Sequence, residues 1–203
     1  MKKGRGFGRI KILDKNYDKN IRNNFAFIDS NNVNLGVKEL GWRLDFRKFR
    51  VYLKEKYQVK KAYLFIGYLP ENQELYRSLQ EFGYVLIFKP VMITKDGKPK
   101  GNADAELVLQ VMIDWEKYHQ VVIVSSDGDF YCLVNYLYEK NKLKRVISPN
   151  YKKCSVLLKK AAREKIDFLD NLKNKLAIKW KSTAFGPTSV VLFPRDYELI
   201  ISL

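Results

Sequence analysis

The chain has 203 residues, 46% of them hydrophobic and 14% aromatic, a composition that excludes a disordered chain and suits one α/β domain with tails. Thirty-eight Lys and Arg against 22 Asp and Glu give a formal charge of +16, which points to a polyanionic partner, nucleic acid first. Two cysteines (Cys132, Cys154) and one histidine (His119) argue against a disulfide framework and a Cys/His zinc site, and no apolar run follows the basic N-terminus, so the expectation is a reduced, cytoplasmic protein without signal peptide or membrane span.

Residues 1–23 read as a basic arm. Its Gly4-Arg5-Gly6-Phe7-Gly8-Arg9 stretch has no strand before it and is no dinucleotide fingerprint. Regular patterning starts at Asn24. Phe25 to Ile28 is a short continuous apolar run, as in a buried parallel strand. Residues 45–57 carry Phe46, Phe49 and Leu53 at helical spacing, and Ala62 to Ile66 is a second strand. A helix over 71–82 follows Pro70 and stops at Gly83, and Tyr84 to Phe88 is a third strand. Val91 to Lys100 has the look of a hairpin turning at Lys95-Asp96-Gly97-Lys98. From Asn102 to about Tyr118 apolar residues go round the whole helical circumference, which predicts a largely buried helix. Val121 to Val124 is the fourth strand. Then come a helix over 129–140, a strand at Arg145–Ile147, a basic helix over 154–164 and an edge strand at Ile166–Leu169. Residues 24–176 thus form one domain, and 177–203, broken by Pro187 and Pro194, form an extension without an assigned role. Such alternation predicts a doubly wound, mostly parallel sheet, with its site at the carboxyl ends of the strands near the topological switch point.

The charge is unevenly spread. Residues 1–24 carry a net +6 and residues 140–181 a net +11, whereas residues 101–139 carry a net −6. A basic shell around an acidic segment suits a protein that grips phosphates and keeps carboxylates for a metal. Asp29 follows the first strand directly, Asp127 and Asp129 follow the fourth, and Asp104 and Glu106 open the helix between them. A single Asp after a strand more often caps a helix or starts a turn. Three segments bringing acids to one sheet edge need a further explanation, because gathered carboxylates repel unless a cation offsets them. All-oxygen ligation suits Mg²⁺ or Mn²⁺, the ions that phosphate chemistry also uses.

Phe27-Ile28-Asp29-Ser30-Asn31-Asn32, Lys100-Gly101-Asn102-Ala103-Asp104 and Val124-Ser125-Ser126-Asp127-Gly128-Asp129-Phe130 resemble, in order and spacing, the signatures of NYN-domain proteins, the LabA-like branch of the PIN-like nucleases. The resemblance implies a three-layer α/β/α PIN-like fold and metal-dependent cleavage of RNA, or of other single-stranded nucleic acid, with endoribonuclease action. It places the acidic quartet on Asp29, Asp104, Asp127 and Asp129, with Asn32 holding a carboxylate or a phosphate. Many relatives carry a further Asp where this chain has Gln110, a departure that implies a weaker or altered metal site. Lys152, Lys153, Lys159, Lys160 and Arg163 form the expected phosphate-binding face. Ser125 and Ser126 suit a phosphate contact or a turn equally, Cys132 a buried structural thiol, and neither Cys154 nor His119 has an expected role. Two rivals share these features. One is an RNA-binding module that keeps the fold with little activity. The other is a different metal phosphotransferase, although a phosphatase would want its Asp-x-Asp after the first strand.

Overall fold

The computed structural model describes residues 23–89, 92–93, 99–100 and 104–179. The basic arm before residue 23, the hairpin turn at 95–98 and the extension beyond 179 lie outside the described residues.

Strand β1 (Asn24–Asp29) is buried along its whole length. Helix α1 (Ser30–Glu39) follows without a break, although the sequence pattern assigns no element there. Its three asparagines and one glycine are poor helix formers. It forms because Asp29 caps it and because Val33 and Val37, one turn apart, are buried on its inner face. Gly36 permits close packing, since a Cβ there would lie 2.5 Å from the Pro149 ring. Helix α2 (Phe46–Tyr57) is capped by Asp45 and ends in a left-handed Gln58. Strand β2 (Val59–Gly67), helix α3 (Gln73–Glu81) and strand β3 (Tyr84–Lys89) complete the first half. The hairpin is present as two short antiparallel strands, β4 (Met92–Ile93) and β5 (Pro99–Lys100).

Helix α4 (Asp104–Ile113) is shorter than its apolar pattern predicts, and it is not buried all round. Only Leu107 and Val111 are buried, while Leu109 and Ile113 are 59% and 57% exposed. One face of a surface helix on a sheet reaches the core, whatever residues the other face carries. Strand β6 (Val121–Val124), helix α5 (Tyr131–Glu139), strand β7 (Leu143–Ser148), helix α6 (Val156–Ala162), strand β8 (Ile166–Phe168) and helix α7 (Lys173–Leu176) follow.

The six long strands form one all-parallel sheet in the order β3-β2-β1-β6-β7-β8. The chain runs outward from β1 to β3, returns to lay β6 beside β1, and then runs out the other way. The switch point therefore lies between β1 and β6, where Ile28 pairs with Val124. Alternation along the strands divides the core in two. Ala26, Ile28, Val122 and Val124 pack with α1, α2 and α3 residues on one face. Phe25, Phe27, Val121 and Ile123 pack with α4, α5 and α6 residues on the other. This is the doubly wound parallel sheet that the alternating pattern predicts and the three-layer α/β/α fold that the resemblance implies. Among the described residues no helix is long and apolar enough to cross a membrane.

Candidate metal centre

Asp29 is the last residue of β1 and the N-cap of α1. Its Oδ1 accepts the Asn32 backbone N–H at 3.2 Å. By strand alternation it continues the face of Phe25 and Phe27, the face that α4 covers. On the neighbouring strand, the turn after β6 is built by its own side chains. Buried Ser125 accepts the Asp127 N–H through Oγ at 3.1 Å, and Asp127 Oδ1 accepts the Asp129 N–H at 3.0 Å. Asn32 ties the two strand ends together, for its Oδ1 accepts both the N–H and the Oγ–H of Ser126, each at 2.8 Å. A third segment closes in behind: the Ser155 N–H donates to the Ser126 carbonyl at 3.0 Å. Gly128 is required at that contact, because a Cβ there would sit 2.5 Å from Ser155 Oγ.

On this frame the carboxylates meet. Asp104, Asp127 and Asp129 each bring an oxygen to within 4.8 Å of the others. Asp29 stands behind them, only 8% exposed. Burial raises its pKa to about 6, against the Asn32 N–H and the charge of Lys89, and with help from the negative charges of Asp104 and Asp127. In the first turn of α4, Glu106 has a buried Oε2 without a hydrogen-bond partner. Three mutually facing carboxylates, with a buried fourth within electrostatic reach, make an all-oxygen donor set suited to a hard divalent cation.

The sequence motifs thus bring Asp104, Asp127 and Asp129 into one group, with Asp29 within electrostatic reach. Asn32 meets the Asp29 carboxylate through its backbone, while its side chain joins the two loops. Ser125 and Ser126 serve the turn. Gln110 is directed to structure, since its side chain hydrogen-bonds to Asp114, the residue just beyond the end of α4. Cys132 is exposed, contrary to its expected burial, because α5 turns it away from the sheet. Cys154 is buried, and burial pushes its thiol pKa up.

The basic residues do not form one uniform face. Lys152, Lys153 and Lys160 are exposed. Lys159 donates to the Tyr151 carbonyl at 2.8 Å and lies 4.1 Å from that ring's centre, while Arg163 lies over the Tyr138 ring at 4.4 Å. Lys152 and Lys153 belong to the turn whose Ser155 is bonded to the Ser126 carbonyl, so this part of the cationic surface borders the acids. Lys89, buried at the end of β3, is in none of the motifs. Its trace in the sequence is a lysine closing the apolar run Tyr84–Phe88.

Comparison with known proteins agrees with this architecture. The family model of the NYN domain matches residues 25–170. The low amplitude and bright protein LabA of Synechococcus elongatus is 28% identical over 132 residues, covering 60% of this chain and 71% of that protein. A crystal structure of a protein of unknown function from Vibrio parahaemolyticus superposes with a TM-score of 0.63 at 22% identity, over 77% of this chain and 98% of that one.

Proposed function

Since this chain belongs to the NYN domain family, we propose that it is a metal-dependent endoribonuclease of the cytoplasm that acts on single-stranded RNA. The observation that carries this reading is the convergence of Asp104, Asp127 and Asp129 at the switch point of a parallel sheet, with Asp29 buried behind them. Asp104, Asp127 and Asp129 would hold Mg²⁺ or Mn²⁺, with Asp29 as the inner member of the group. Bound there, such an ion would neutralise phosphate charge and lower the pKa of a water.

The remaining residues position and attract. Asn32 and Ser126 lock the ends of β1 and β6 to each other, which keeps acids from distant segments in fixed relation. Such preorganisation avoids reorganisation cost when charge develops on the phosphate. Lys152, Lys153 and Lys160 supply exposed cations for the RNA backbone, and Lys159 and Arg163 strengthen the same field from their aromatic seats. Affinity in this arrangement is electrostatic and falls with salt, whereas turnover belongs to the acids.

The test is incubation of purified full chain with labelled single-stranded RNA in Mn²⁺, Mg²⁺ or EDTA, for wild type and Asp127→Asn. Internal cleavage that requires metal and disappears in the variant is the expected result. Tight RNA binding without cleavage in either metal overturns the enzyme and leaves an RNA-binding module.

A further inference from the structure

Strand register places a cation beside the acids. On β3, Val85, Ile87 and Lys89 share a face, and Ile87 packs against the core formed with α4, α5 and α6. That is also the face on which Asp29 continues Phe25 and Phe27. Lys89 pairs in register with Gly67, while Asp29 pairs with Phe65. Gly67 has no side chain, so the sheet surface between Lys89 and the end of β1 is bare at that position. Lys89 is 5% exposed, and a lysine is almost never buried without a compensating charge. Asp29 is a carboxylate on which its charge acts.

We propose that Lys89 is the counter-ion built into this site: its ammonium group, on the same sheet face as Asp29, compensates the buried Asp29 carboxylate through space and competes with a divalent cation for it. Lys89 is a positioning residue in this account, since it acts through Asp29. The competition with metal rests on the nuclease reading; the pairing with Asp29 does not. A site with its own cation keeps its buried acid compensated when metal is scarce. It also binds metal less tightly than the same acids would alone, because a like charge must be met or displaced.

A double-mutant cycle on the full chain separates the two halves. In EDTA, Lys89→Met lowers the melting temperature by roughly 5 °C, and Lys89→Arg restores most of the loss. In the Asp29→Asn background the same Lys89→Met change costs much less, because the carboxylate charge that Lys89 offsets is then absent. Equal losses in both backgrounds overturn the pairing. Titration calorimetry with Mn²⁺ then reads the competition: Lys89→Met binds Mn²⁺ roughly tenfold more tightly than wild type, although a merely structural lesion would weaken binding. Unchanged or weaker Mn²⁺ affinity in Lys89→Met overturns the competition. A wild-type chain that binds no Mn²⁺ overturns the metal reading and the competition with it, and the cycle in EDTA still decides whether Lys89 acts through Asp29.

Discussion

At Asp114 and Asp167 each carboxylate is met by a tyrosine hydroxyl and a lysine ammonium, whereas beyond β1 and β6 three carboxylates face one another. Buried Asp114 accepts the Tyr63 hydroxyl and, at 2.7 Å, the Lys117 ammonium. Burial pushes its pKa up, but Lys117, Tyr63 and Gln110 outweigh burial and hold it below the usual carboxylate range. Asp167 accepts Tyr57 at 2.6 Å and Lys56 at 3.1 Å, with Arg145 at 3.7 Å. It too is held low, burial being outweighed by Tyr57, Lys56 and Arg145. Asp29 moves the opposite way. The same residue type therefore works as a brace where a hydroxyl and a cation meet it and as a store of negative charge where carboxylates gather. A fold tolerates the second arrangement at a cost in stability, which is why such acids mark a functional site.

The sharpest way to break this contrast is catalytic. Asp127→Asn should cut RNA cleavage roughly 100-fold or more in a gel assay with Mn²⁺ and leave filter-bound RNA affinity unchanged. Asp114→Asn should leave turnover per folded molecule unchanged. Equal losses in both variants would erase the distinction between charge store and brace.

Acid and neutral melts in EDTA come next. The Asp29 carboxyl titrates near 6 in the folded chain, above the ordinary value of 3.8, so between these values the folded chain holds a proton that the unfolded chain has released. Stability should therefore fall as pH rises through that window, by about 3 kcal/mol at full extent, and Asp29→Asn should flatten this part of the curve. Asp114 and Asp167, whose pKa values are lowered, have the opposite slope, and theirs lies below the ordinary carboxylate range: their stability is lost as the pH falls.

Metal should act on one region alone. A hundredfold excess of Mg²⁺ or Mn²⁺ over its dissociation constant stabilises a native-only site by about 2.7 kcal/mol. Scanning calorimetry should show that gain in wild type and in Asp114→Asn, and a much smaller one in Asp127→Asn. Removing the Asp114 side chain as Ala should cost about 2 kcal/mol in denaturant unfolding, since the Tyr63 hydroxyl loses its buried acceptor. Asp167→Ala, at a partly exposed network, should cost about 1 kcal/mol by the same measurement.

The sequence by itself determined the parallel sheet, because continuous apolar runs such as Val121–Val124 alternate with helical spacing along the chain. It also singled out Asp104, Asp127 and Asp129, which the fold brings together, and Asp29 within electrostatic reach of them, because each adjoins such a run or opens a helix. Helix α1 was not legible, since its asparagines and glycine argue against helix, and the burial of Val33 and Val37 and the fit of Gly36 against Pro149 are tertiary. The burial of α4 was overstated by its composition, because periodicity reports what a helix offers and packing decides which face is covered. Only the tertiary structure decided that Gln110 serves Asp114, that Asn32 clasps Ser126, and that Lys89 shares a sheet face with Asp29. The last two relations join residues far apart in the chain, and strand order and register, which set such distances, are not local properties of any motif.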